Sequence, residues 1–219
     1  MARQPIGDQS PGVIELLGPP GAGKTSVLHE VISLGEWGAV ADPLRPRKVG
    51  VLGRLRMLWS SPVVGGLSYL VVTTRRDAGL SNLSRVYLVQ RAHLLVRGSP
   101  AAGGLLMDEG PVHGLFVALY GTRGTWISRH FLRRLVAVLA RGVTRYIYID
   151  APIEECVRNF TNRVADTSRF ARSSSEDEIE AFRNDRTYAE ILTCLEIVAS
   201  RKLCRVGSAD EARALLGGE

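Results

Sequence analysis

Eight consecutive residues, Gly18-Pro19-Pro20-Gly21-Ala22-Gly23-Lys24-Thr25, carry the most specific chemistry in the chain. Their spacing satisfies the pattern G-x-x-x-x-G-K-[ST]. Glycines let successive backbone N–H groups turn inward onto phosphate oxygens. The lysine brings a mobile positive charge to the β- and γ-phosphates, and the threonine offers a hydroxyl to Mg²⁺. Such a loop works only when a buried strand delivers the chain into it and a helix leaves it, because the helix N-terminus adds its own unpaired N–H groups. The apolar run Val13-Ile14-Glu15-Leu16-Leu17 supplies the strand, and a helix is predicted over Lys24 to Leu34. The residues expected to hold a nucleoside triphosphate are therefore Gly18, Gly21, Ala22, Gly23, Lys24, Thr25 and Ser26.

Other residues suited to chemistry lie where predicted strands end. Gly104-Leu105-Leu106-Met107 runs into Asp108-Glu109, an apolar strand closing on two carboxylates, the outline of a second Mg²⁺-side element with Asp108 as its ligand. Trp37 to Ala41 is a weak strand stopped by Asp42-Pro43, which leaves Asp42 near the edge where open parallel sheets bind ligands. Arg158, Arg163, Arg169 and Arg172 surround a Ser- and Thr-rich stretch with the composition of a polar loop. Arg75 and Arg76 either meet an anionic substrate or close a helix. His29, His93, His113 and His130 form no metal-binding spacing.

The 219 residues suffice for one α/β domain, so residues 1–219 are taken as a single unit. Net charge is +6, and lysine occurs only at positions 24, 48 and 202. A basic surface attracts any phosphorylated partner and does not by itself indicate nucleic acid, which is not expected here. Cys156, Cys194 and Cys204 are widely spaced and include no C-x-x-C pair, which argues against a disulfide framework or zinc site and fits a reducing, cytoplasmic setting. Met1 to Gly12 lacks the apolar centre of a secretion signal. Met57 to Val72 is uncharged but short of the ~20 residues needed to span a bilayer, and Pro62, Gly65 and Gly66 interrupt it; peripheral membrane contact stays open. A homodimer is compatible with everything above.

The elements that must position these residues alternate. Helical patterning fills 45–98, with helices over Arg47 to Trp59, Val63 to Thr74 and Asn82 to Val96, a large insertion on the acceptor side. Further helices are predicted over Val112 to Tyr120 and Trp126 to Ala140, then a strand at Tyr146 to Asp150 and a helix at Ile153 to Val164 opened by Pro152. A long helix from Glu176 to Ser200 follows. The last strand is Leu203 to Val206, and Ser208 with Glu211 reads as a capping box for a terminal helix.

In its residues the chain resembles P-loop kinases of the nucleoside-monophosphate kinase group, and in layout the thymidylate kinase-like proteins. The likeness rests on Gly18 to Thr25, on Asp42-Pro43, on Asp108-Glu109-Gly110, and on Ile149-Asp150-Ala151-Pro152 followed by Arg158, Arg163, Phe182 and Tyr188. It implies an α/β, three-layer fold with about five mainly parallel strands, a helical insertion at 45–98 and an arginine-bearing lid at 163–175, with 13–34 as the phosphate-loop unit. The chain departs from the pattern at Glu109, where related kinases carry a substrate arginine. A carboxylate there suits hydroxyl or amine groups on the acceptor. Gly207 and Ser208 resemble the loop that packs against the adenine.

The resemblance implies phosphoryl transfer from ATP with Mg²⁺ to a small-molecule hydroxyl on a nucleoside, nucleotide, sugar or natural product. Lys24 and the loop would hold the donor, Thr25 and Asp108 the metal, and Arg163 and Arg169 the transferring phosphoryl. Asp42 is the first candidate base and Glu109 the second. Two other classes fit the same motif: an ATPase using Asp108-Glu109 to activate water, and a nucleotide-binding regulatory module without an acceptor.

Overall fold

The computed structural model describes residues 12–33, 39–40, 80–98, 104–119, 129–164 and 175–217. Five strands lie within them: β1 (Val13–Leu17), β2 (Ala39–Val40), β3 (Leu105–Met107), β4 (Arg145–Ile149) and β5 (Leu203–Val206). They form one parallel sheet in the order β2-β3-β1-β4-β5. The described helices are α1 (Lys24–Ser33), α2 (Leu80–Gly98), α3 (Pro111–Leu119), α4 (Arg129–Leu139), α5 (Ile153–Val164), α6 (Ser175–Arg183), α7 (Arg186–Ala199) and α8 (Ala209–Gly217).

Parallel strands joined through helices are covered on both faces, so they read as apolar runs, and side-chain alternation sorts each run into two cores. Val13, Leu17, Leu105, Met107, Tyr146 and Tyr148 cluster with Val86 and Val89 of α2, Leu115 and Leu119 of α3, Leu132 and Leu139 of α4, and Ile191 and Leu195 of α7. Ile14, Leu16, Leu106, Ile147 and Ile149 cluster with Val27 and Val31 of α1, Cys156 of α5, Ile179 of α6 and Ala212 of α8. The result is the three-layer α/β arrangement expected from the alternation of elements. Among the described residues no helix is long and apolar enough to cross a membrane.

The long helix predicted over 176–200 is two helices, α6 and α7, separated at Asn184-Asp185. Asp185 adopts an extended backbone conformation, and its carboxylate accepts a hydrogen bond from the Tyr188 N–H at 2.9 Å, an N-cap that starts a new helix. Apolar periodicity runs through the break because both helices pack on the same core. Phe116 of α3, Phe182 of α6 and Tyr188 of α7 meet with ring centroids 4.5–4.6 Å apart, so the two segments share one aromatic cluster despite their separate axes.

Every strand points the same way, so the turns after β1, β3, β4 and β5 all open at one edge of the sheet. Chain order reverses at β1, whose neighbours are β3 on one side and β4 on the other. The crevice outside the carboxyl end of such a switch point is where open α/β sheets take ligands. The phosphate loop and Asp108-Glu109 both end there.

Candidate functional site

The loop after β1 has the backbone that its glycines were expected to permit. Gly21 and Gly23 sit at φ of 78° and 84°, the left-handed region that costs a side chain-bearing residue about 1–2 kcal/mol. Space is as restrictive as conformation: a Cβ on Gly21 would lie 2.1 Å from the Cys156 carbonyl oxygen of α5, and one on Gly23 would lie 2.8 Å from the Ala209 Cβ of α8. The Asn159 side chain donates from Nδ2 to the Gly21 carbonyl at 2.9 Å, fixing the loop from α5. Immediately after Gly23 the helix begins, with the Val27 N–H bonded to the Gly23 carbonyl at 3.0 Å. The N–H groups of the first turn of α1 therefore face the space above the loop.

Lys24 Nζ donates to the Gly18 carbonyl at 2.7 Å and to the Pro19 carbonyl at 2.8 Å, so the ammonium lies along the loop it must serve. Thr25 donates from Oγ1 to Asp108 Oδ2 at 2.9 Å. These two oxygens come from elements 83 residues apart and meet because β1 and β3 are hydrogen-bonded neighbours. A hydroxyl and a carboxylate at that separation are hard oxygen ligands of the kind Mg²⁺ takes alongside phosphate oxygens and water. Glu109 follows, partly buried at the same turn.

A further carboxylate, which the sequence had left within an apolar strand, is part of this arrangement. Glu15 lies in the middle of β1 with no solvent exposure, paired in register with Met107 of β3 and Tyr146 of β4. Its carboxylate accepts the N–H of His113 at 2.8 Å and that of Val112 at 3.4 Å, at the start of α3 just beyond the Asp108-Glu109-Gly110 turn. Burial pushes the Glu15 carboxyl up to about 8, against the opposing pull of the two N–H donors. His113 is held neutral, down to about 3, by burial and by the charge of Lys24. A charge in a strand that a parallel sheet must bury on both faces was the available signal for Glu15. Asn159 had none, since 138 residues separate it from Gly21.

Gly207 and Ser208 follow β5 at the same sheet edge, and Ala209 touches the loop at Gly23. The Ser208 hydroxyl accepts the Glu211 N–H at 3.2 Å, while the Glu211 carboxylate accepts the Gly207 N–H at 3.1 Å, the expected capping pair with its return bond displaced by one residue. Ser26 is exposed on the first turn of α1, and Arg158 is exposed on α5. Among the expected site residues, Asp42 and Arg169 lie outside the described residues, as does the Arg163 side chain, although the Arg163 backbone lies in the last turn of α5. So do Arg75, Arg76, Arg172, the segment Met57 to Val72 and the predicted helices over 47–59 and 63–74.

No protein-family model and no curated protein matches the sequence. Among solved structures, a deoxyadenosine kinase from M. mycoides with bound dATP is similar over 93% of this chain and 96% of that one, with a TM-score of 0.50 and 13% identity. That likeness, together with the strand order and the loop after β1, is one of architecture: the chain has a P-loop kinase fold.

Proposed function

We propose that the protein is an ATP-dependent kinase that transfers a phosphoryl group to a hydroxyl of a small acceptor. The observation that carries the reading is the Thr25–Asp108 hydrogen bond, which joins the end of a nucleotide-binding loop to the carboxylate at the tip of the adjacent strand. Phosphoryl transfer asks for positioning and charge neutralisation more than for covalent chemistry. In this reading Gly18, Gly21, Gly23 and Ser26 cradle the donor phosphates with backbone N–H groups, and Ala22, whose N–H donates to the Pro19 carbonyl at 3.2 Å, shapes the loop around them. Lys24 leaves its loop carbonyls to pair with the β- and γ-phosphates. Gly207 and Ser208 line the purine. Thr25 Oγ1 and the Asp108 carboxylate would hold Mg²⁺, which when bound would neutralise phosphate charge.

On the acceptor side, Asp42 orients the hydroxyl and takes its proton, with Glu109 as the second candidate. Arg163 and Arg169 close over the transferring group and exclude water. The finer assignment is a nucleoside or nucleotide acceptor. It is supported by the thymidylate kinase-like layout of the sequence and by the deoxyadenosine kinase whose fold this chain shares.

The test is acceptor-dependent ADP release across nucleosides, nucleoside monophosphates, sugars and aminoglycosides. At least one acceptor is expected to raise ADP formation well above background. Release that ignores every acceptor and is lost in Glu109→Gln would instead identify an ATPase. A folded protein that binds no ATP–Mg²⁺ at millimolar concentration would remove the kinase reading altogether.

A further inference from the structure

A carboxylate at position 15 is costly. It sits on the central strand of a parallel sheet, among Val13, Leu17, Met107 and Tyr146, where an apolar side chain of similar size would bury without penalty. Its two hydrogen bonds define what it does in exchange. α3 opens with Pro111, which has no N–H, so Val112 and His113 carry the first donors of the helix, and both point at Glu15. The contact leaves no room between them: a Cβ on Gly110 would lie 2.4 Å from the Glu15 carboxyl carbon and 2.7 Å from one of its oxygens. Gly110 therefore rests directly on the carboxylate.

The turn Asp108-Glu109-Gly110 is thus gripped from two sides by the same β1-loop-α1 unit. On one side Thr25 holds Asp108, through a bond between the two side chains that would hold the metal ion. On the other side Glu15 holds the backbone beyond Gly110, through bonds that use neither Thr25 nor Asp108. We infer that Glu15 is a positioning residue for the metal-side carboxylates: by clamping the start of α3 it fixes where Asp108 and Glu109 stand relative to the phosphate loop, before and after the nucleotide binds. This inference rests on the kinase reading for what Asp108 does, and on geometry alone for what Glu15 holds.

Amide hydrogen exchange over residues 108–114 and the Mg²⁺ dependence of binding a fluorescent ATP analogue test it. Both are measured on wild type, Glu15→Gln, Glu15→Leu, Glu15→Ala, Gly110→Ala and the double variant Glu15→Ala/Gly110→Ala. Glu15→Leu and Glu15→Ala should exchange faster at 108–114 than wild type while α1 and α5 keep their protection, and should need on the order of tenfold more Mg²⁺ for half-saturation, as losses of groups that orient a metal ligand do. Glu15→Gln, which keeps an acceptor oxygen for the two N–H groups, should stay close to wild type in both. Binding measured without Mg²⁺ should not change, an asymmetry that general destabilisation would not produce. Gly110→Ala, which leaves Glu15 in place and drives a methyl into its carboxyl, should reproduce the Mg²⁺ effect, and the double variant should cost less than its two single changes together. Should Glu15→Leu fail to fold, Glu15→Ala and Gly110→Ala carry the test. Unchanged exchange and Mg²⁺ requirement in Glu15→Ala and Gly110→Ala, or strict additivity in the double variant, would overturn the positioning role. A wild-type protein without Mg²⁺-dependent nucleotide binding would instead overturn the kinase reading.

Discussion

Glu15→Gln should remove a loss of stability that the wild-type protein shows between pH 6.5 and 8. The Glu15 carboxyl is raised from 4.5 to about 8, so between those values the folded protein keeps a proton that the unfolded chain releases. Stability then falls as pH rises, at about 1.4 kcal/mol per pH unit. His113 acts in the opposite direction. Depressed from 6.5 to about 3, its ring is neutral in the folded state where the unfolded chain binds a proton, so stability falls as pH drops below 6.5. His93, lowered by burial and by Arg97, has the same sign as His113. The raised thiols of Cys156 and Cys194 act only above 9. From 6.5 to 8 the Glu15 contribution falls by about 1.6 kcal/mol, and the two histidines, still half-protonated in the unfolded chain at 6.5, return up to about 0.8 kcal/mol of it. The groups facing Glu15 are Tyr146 from β4, whose own ionisation is raised by burial and by the Glu15 charge, and the Val112 and His113 N–H donors from α3, with Lys24 beyond the His113 ring. Urea unfolding at half-unit intervals from pH 5.5 to 8.5 measures the slope. The wild-type profile should fall by about 1.6 kcal/mol relative to that of Glu15→Gln across the window, while Glu15→Gln, which has no carboxyl to ionise, should itself be flat or rise by up to about 0.8 kcal/mol. Parallel wild-type and Glu15→Gln profiles would refute the assignment of a protonated Glu15 to the folded state at neutral pH.

Lys24→Ala should abolish phosphoryl transfer yet leave the urea midpoint close to wild type, because its bonds to the Gly18 and Pro19 carbonyls are only partly buried and water can replace them; turnover and unfolding on the same preparation separate the two effects. Gly21→Ala should destabilise by about 3 kcal/mol, the sum of a positive φ and a clash with the Cys156 carbonyl, seen as a lowered melting temperature accompanied by loss of nucleotide binding. Ser208→Ala should cost about 1 kcal/mol through loss of the α8 cap while sparing the phosphate loop, so that stability falls and nucleotide affinity for the triphosphate moiety does not.

What was legible beforehand follows the range of the physics involved. The phosphate loop and the Ser208 cap are set by residues within eight positions of one another, so local spacing reports them directly. The strands were legible because burial on both faces leaves an uninterrupted apolar run, and Leu105-Leu106-Met107 before Asp108 is such a run. The division of the helical stretch after residue 175 was not. Ile179, Phe182, Tyr188 and Leu195 keep a helical rhythm across Asn184-Asp185, and only the Asp185 carboxylate turning back on the Tyr188 N–H ends one helix and begins another. Asn159 was illegible for a different reason: its task is to hold one carbonyl of a loop that only tertiary packing brings near.

Glu15 lies between these cases. Its chemistry was visible, as a charge inside a strand with no exposed face, but its partner was not, because the N–H donors of α3 arrive from almost a hundred residues away through the β1–β3 pairing. The same pairing brings Thr25 to Asp108. One sheet neighbour thus sets two distances, from the loop to the metal-side carboxylate and from the strand to the helix behind it, and the three-residue turn between them has little freedom left. A deletion or insertion anywhere in 108–110 should lower nucleotide binding per folded molecule far more than the same change after α4, where Val143 and Thr144 hold Lys202 and Val13 but no site residue. Comparing nucleotide binding by the folded fraction of single-glycine insertions after Glu109 and after Gly142 measures that difference. Equal loss of binding at the two places would mean that the turn is held by neither Thr25 nor Glu15.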